Sequence, residues 1–68
     1  MAGKDGIQVE GRIVEVLPRT LFRVELANGH RLLGHLPAAR RRKAAAMAVG
    51  DPVRVRLSPY DMSTGRIL

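Results

Sequence analysis

The sequence contains no cysteine and no tryptophan, and its aromatic side chains are one phenylalanine and one tyrosine. Without thiols no disulfide can form, so a chain of 68 residues must be held by a small apolar core alone. The same absence suits a reducing compartment. Two histidines without any thiolate make a structural zinc site unexpected. No apolar run approaches the roughly 20 residues needed to cross a bilayer. The first residues, MAGKDG, lack the apolar stretch of a signal peptide. The expectation is a cytoplasmic monomer without membrane association: a flexible segment over residues 1–6, then one domain over residues 7–68.

Catalytic chemistry is equally sparse. Ser58, Ser63, Thr20 and Thr64 have no histidine–acid partner close in sequence, and no glycine-rich phosphate loop or paired-histidine metal pattern occurs. His30 lies beside a turn and His35 near the basic segment, on opposite faces of one predicted strand, so they do not share a metal. His30 reads as structural or at a barrel rim. His35 sits where it can touch a ligand. No enzyme activity, no metal and no cofactor are expected.

What the chain has in excess is positive charge. Twelve Lys and Arg face six Asp and Glu. Up to Glu25, the cations Lys4, Arg12, Arg19 and Arg23 balance Asp5, Glu10, Glu15 and Glu25. From Leu26 onward eight cations meet only Asp51 and Asp61, which leaves the whole net charge of +6 in that part. Most of these cations are arginine, whose planar fork of donors matches phosphate geometry. A bland reading stands beside this one: arginine is also the common surface cation of GC-rich genomes.

Apolar periodicity predicts five strands. Ile7, Val9, Gly11 and Ile13 alternate over the first, Ile7 to Leu17. After Ile13 the phase slips to Val14 and Val16, so the strand must bend or bulge, with Gly11 the expected start of the bend. Leu21 to Leu26 places Phe22, Val24 and Leu26 on one face. His30 to Leu36 does the same with Leu32, Gly34 and Leu36. Asn28-Gly29 between them signals a hairpin. A three-residue loop pairs Val24 with Leu32 and Glu25 with Arg31, keeping one apolar face and matching opposite charges; a two-residue loop mixes the faces. Val53, Val55 and Leu57 alternate over a fourth strand with Arg54 and Arg56 outward. Ser58 to Gly65 reads as a turn-rich loop, and Gly65 to Leu68 as a fifth strand cut short.

Between the third and fourth strands lies Pro37 to Met47, PAARRRKAAAM. Its residues favour helix and Pro37 suits a first helical position. It is too short to stand alone and is expected to lean on the barrel through Leu36, Met47 and Val49. Helical residues are about 100° apart, so Arg40, Arg41, Arg42 and Lys43 fan around the axis like an arm among phosphates. Five strands with a helical segment between the third and fourth is the connectivity of an OB-fold, an all-β Greek-key barrel that commonly binds oligonucleotides. Single-strand binders of this kind stack bases on several exposed rings. Here Phe22 belongs to the core face, so structured RNA or DNA, recognised by backbone and shape, is the expected ligand. A general RNA-binding chaperone of the OB-fold class and a protein-binding barrel with solubilising charge are the competing readings.

The blocks FRVEL-x-NGH (Phe22 to His30) and LSPYD-x-S-x-GRI (Leu57 to Ile67) identify a closer likeness. Together with the residues around them they resemble the bacterial translation initiation factor one family, without obvious gaps from Ile7 to Ile67. The resemblance implies an OB-fold protein that binds the decoding (A) site of the small ribosomal subunit and blocks premature tRNA entry. It implies contact with ribosomal RNA and a decoding-site ribosomal protein, cooperation with initiation factors two and three, and neither catalysis nor a cofactor. By position the family's basic connector falls on Arg40, Arg41, Arg42 and Lys43, and the arginine of its GRI motif is Arg66. Arg23 and His35 also stand in matching places. These seven are the RNA-binding residues the resemblance implies. Where the family commonly has an aromatic residue and a further cation, this chain has Ala44 and Ala46. Contact energy is therefore expected to concentrate in the four consecutive cations.

Overall fold

The computed structural model describes residues 6–68. Of the expected flexible segment over residues 1–6, all but Gly6 lies outside them. The strands run β1 Ile7–Leu17, β2 Leu21–Leu26, β3 Arg31–His35, β4 Pro52–Ser58 and β5 Asp61–Ile67. Between β3 and β4 lie a 3-10 turn, Ala38–Arg40, and one short helix, α1 Arg41–Ala45. The strands close into a barrel in the order β1-β2-β3-β5-β4. All neighbouring strands are antiparallel except β3 and β5, which are parallel.

The alternating apolar residues explain the register. Phe22, Val24 and Leu26 of β2 and Leu32 of β3 point inward and are buried. Val55 and Leu57 of β4, Ile67 of β5, Ile13 of β1 and Leu36 complete the core. The β2–β3 hairpin pairs Val24 with Leu32 and Glu25 with Arg31. That is the register expected of a three-residue loop, with Gly29 in the left-handed region at φ 87°.

β1 serves both sides of the barrel. Its first half pairs with β4, from Ile7–Leu57 to Arg12–Pro52, and its second half with β2. The register slips between Ile13 and Glu15, so the bulge sits at Val14 and not at Gly11. Gly11 instead marks the overlap, paired with both Leu26 and Val53. Beyond the bulge Val16 is half exposed, because only Ile13 of this stretch reaches the core.

Two further expectations are corrected. The fifth strand begins at Asp61, not Gly65, and is a full seven residues long. Pro59-Tyr60 alone forms the turn, since Ser58 pairs with Asp61. The turn signals are real: Ser58 Oγ accepts the Tyr60 N–H, and Asp61 Oδ1 accepts the Ser63 N–H. They act inside the hairpin, where four exposed residues give no apolar alternation to betray a strand. The connector is also less helical than expected: α1 is five residues long, without a side-chain cap at either end. Ala44 and Met47 pack against the core, whereas Val49 is 64% exposed and does not.

Closure depends on two small residues facing each other. Gly34 and Gly65 are paired across β3 and β5 and both are buried. A Cβ on Gly34 would lie 2.9 Å from Cγ1 of Ile67 and 3.3 Å from Cγ2 of Val24. Substituting Gly34→Val should therefore overpack the closure and destabilise the fold by about 1–3 kcal/mol. The expected readout is a lower urea midpoint at unchanged slope. An unchanged midpoint would show that the closure is not close-packed.

Candidate nucleic-acid interface

Strand pairing sets three of the outward polar residues in one row. His35 of β3 is in register with Arg66 of β5, and Arg66 is in register with Arg56 of β4. All three are exposed. Residues directly opposite on adjacent strands have Cβ atoms about 5 Å apart, so these three side chains form a continuous strip. The connector leaves the barrel at the same place: one residue after His35, buried Leu36 anchors it.

That anchor is doubly tied. The Leu36 N–H donates to the Thr20 carbonyl at 3.1 Å, and the Thr20 hydroxyl donates to the Leu36 carbonyl at 2.9 Å. At the other end Gly50 N–H donates to the Ile13 carbonyl at 2.7 Å and Ile13 N–H to the Asp51 carbonyl at 3.0 Å. The Asp51 carboxylate accepts the Ala48 N–H at 2.9 Å. The connector is thus a loop pinned at both feet. Between them Arg40, Arg41, Arg42 and Lys43 are all exposed, and α1 has no buried residue. With half-buried Ala44 facing the barrel, helical spacing carries Arg42 about 200° round the axis, away from it. Lys43 behaves differently: its Nζ donates to the Leu68 backbone oxygen at 3.0 Å, which ties the connector to the end of β5.

The carboxylates are distributed unevenly. Glu15 holds Arg23 at 3.3 Å, Glu25 holds Arg31 at 3.1 Å, and Glu10 holds Arg54 at 3.1 Å. Such exposed pairs stabilise little, about 0–1 kcal/mol each. Their consequence for the surface is larger, because they cancel the field of those three arginines. Asp51 and Asp61 are engaged with backbone. Among the described residues no carboxylate pairs with Arg40, Arg41, Arg42, Lys43, Arg56 or Arg66. Unneutralised charge thus gathers on the connector and the adjoining β5–β4 face; Arg12 of β1 and Arg19 of the β1–β2 turn likewise have no carboxylate partner among the described residues.

The expected site residues divide accordingly. His35, Arg66 and Arg40 to Lys43 fall on one contiguous surface. Arg23 lies on the outer face of β2, opposite Leu33 and in its ion pair with Glu15. Arg56, expected from sequence to point outward, joins the strip. Its place follows from the β4–β5 register beyond the shift at Leu57/Ser58, where Leu57 pairs with Gly65 and Arg56 with Arg66. His30 donates through Nε2 to the Met62 carbonyl at 2.8 Å, which fits a structural role. Tyr60 is 94% exposed and stands alone at the β4–β5 turn. No group of His, Asp and Glu among the described residues is placed to hold a metal ion.

A family model described as translation initiation factor 1A / IF-1 matches residues 1–68. The chain belongs to this family. It is similar to the solution structure of translation initiation factor IF-1 from the Wolbachia endosymbiont strain TRS of Brugia malayi. The two share 35% identity and a TM-score of 0.73, over 100% of this chain and 85% of that one. The resemblance carried by the two motif blocks is thereby borne out, as is the OB-fold barrel. As a member of the IF-1 family the protein is a translation initiation factor.

Two local features of the barrel are open to direct measurement. Arg19 and Thr20 both adopt left-handed backbone, at φ 63° and 58°. This region costs an L-residue about 1–2 kcal/mol, and asparagine is among the side-chain-bearing residues that tolerate it best. Arg19→Asn should therefore stabilise the protein by roughly 0.5–1 kcal/mol in denaturant titrations; a loss of stability would contradict the account.

The Asp61 carboxyl is held below its ordinary value of 3.8 because the Ser63 hydroxyl and then the Ser63 N–H donate to it. A depressed folded value means the contribution to stability is present above the unfolded value and fades as pH falls through the folded one. In Ser63→Ala, the NMR titration of the Asp61 carboxyl carbon should move up towards 3.8. No movement would remove the hydroxyl as the cause.

Proposed function

We propose that this initiation factor binds the decoding (A) site of the small ribosomal subunit and blocks premature tRNA entry there. The observation that carries the reading is the unneutralised strip: four exposed cations on a loop pinned at both feet, continued by His35 and Arg66. A convex arm of this kind enters a groove between phosphates, whereas cations already paired with carboxylates, as at Arg23, Arg31 and Arg54, contribute less. In this reading Arg40, Arg41 and Arg42 lie among phosphates of the decoding region of the ribosomal RNA. Lys43, tied back to Leu68, sets the arm's angle and reaches phosphate only on release. The ribosomal protein at the decoding site and initiation factors two and three are the further partners. The action is that of a binding protein in the cytoplasm and requires no chemical step.

The test is cosedimentation with small subunits, wild type against a variant carrying alanine at Arg40, Arg41, Arg42 and Lys43. Wild type should pellet with subunits, compete with A-site tRNA and protect decoding-site bases from chemical probes. The variant should lose most binding, and its affinity should depend less steeply on salt, by roughly 0.7–0.9 in log–log slope for each phosphate it no longer neutralises. Equal melting of unrelated RNA hairpins with no preference for subunits would instead establish a general RNA chaperone. Unchanged subunit binding by the variant would discard the arm as the element that meets RNA.

A further inference from the structure

We infer that Arg56 and Arg66 form a two-pronged clamp for one RNA phosphate, with His35 as a third donor at its side. The inference rests on the reading above and extends it: the RNA backbone crosses the barrel over β3, β5 and β4 as well as meeting the connector.

Arg56 and Arg66 are directly opposite each other on neighbouring strands. Like charges in that position destabilise a sheet. Three other outward strand arginines, Arg23, Arg31 and Arg54, each have a carboxylate within 3.3 Å, and Arg12 donates to the Gly50 carbonyl. Arg56 and Arg66 have no carboxylate partner among the described residues. The next position in the row, Gln8 on β1, is in register with Arg56 and is uncharged. The repulsion is therefore left in place, and an anion between the two guanidinium groups would relieve it. A phosphodiester fits, since its two free oxygens can each take a planar fork of N–H donors.

The second observation is that Arg56 is held. A Cβ on Gly6 would lie 2.6 Å from Cγ and 2.9 Å from Cδ of Arg56, so the arginine stem rests directly on the Gly6 backbone. Packing the stem leaves the guanidinium in place before RNA arrives, which lowers the entropy lost on binding. His35, on the other side of Arg66, extends the donor row towards the connector. The row and the arm then follow one continuous path.

The experiment compares wild type with Arg56→Gln, Arg66→Gln and the double change. Arg54→Gln serves as a charge-matched control, because Glu10 already neutralises that arginine. Affinity for small subunits is measured over a range of salt. Arg56→Gln should weaken binding about tenfold and lower the salt slope by about 1, as when one phosphate is left unbound. Arg54→Gln should change affinity less than about twofold. The double change should be clearly weaker in effect than the product of the two singles, because both side chains hold the same phosphate. In parallel, the arginine Nε–H resonances are followed by NMR while an RNA hairpin is added. Arg56 and Arg66 should shift together. If wild type binds subunits but Arg56→Gln behaves as Arg54→Gln does, the clamp is wrong and the decoding-site reading stands. If wild type does not bind subunits, that reading falls and the hairpin titration decides the clamp alone. Joint shifts support it; shifts of Arg66 without Arg56, or shifts with an acidic peptide and none with RNA, overturn it.

Discussion

The pairing of β3 with β5 is the constraint on which the rest of the molecule depends. It is the one parallel contact in the barrel, and it joins strands separated by the whole connector and β4. Three registered pairs make it: Leu33–Thr64, Gly34–Gly65 and His35–Arg66. The middle pair faces inward and is made of glycines, so the two backbones approach over Phe22, Ile67 and Leu57 without side chains between them. The outer pair is the start of the cationic strip. One local geometry thus closes the core and aligns the surface. Because closure leaves no free strand edge, a chain this small holds its shape with nine buried apolar side chains among the described residues and no covalent staple.

Charge is placed with the same economy. The described carboxylates of β1 and β2 sit opposite or beside arginines of β2, β3 and β4. None reaches β5 or the connector. Exposed ion pairs add little to stability, so their arrangement matters more for the field outside the protein. Unpaired cations gather on the connector and the β5–β4 face, where a cluster of one sign of charge raises the local potential. The family membership and this asymmetry agree without depending on each other.

What could be read from the sequence was whatever rests on neighbours along the chain. The β2–β3 hairpin was legible to the register, because Phe22, Val24 and Leu26 must face inward and Asn28-Gly29 allows only certain turns. The bulge of β1 was legible from the slip of apolar phase, although it sits at Val14 rather than Gly11. β5 was misplaced because its first four residues are exposed and show no apolar alternation, and their order comes from strands on either side. The partner of Arg56 was hidden for a similar reason. Nothing in RVRLSPYD shows that Arg56 will meet Arg66; the Pro59-Tyr60 turn alone would set it opposite Ser63, and the register shift between Leu57 and Ser58 brings it to Arg66. The motif blocks carried the family, where local reasoning alone would have stopped at a basic OB-fold.

The connector shows how a segment with weak intrinsic structure can still present a defined surface. Five helical residues without caps do not hold a helix in water. Here the order comes from outside: Thr20 fastens one foot, Ile13 and Asp51 the other, and Ala44 and Met47 lie on the core. Alanine at position 44 is small enough for α1 to lie against the barrel while being only half buried. The backbone path is therefore fixed, whereas Arg40, Arg41 and Arg42 make no ion pair with any described carboxylate and keep their side-chain freedom. Long unpaired side chains lose about 0.5–1.5 kcal/mol each on being immobilised. A pinned backbone limits the cost of binding to those side chains, since the loop itself is already closed. This division, fixed path and free tips, suits the proposed entry of the arm into a groove of phosphates.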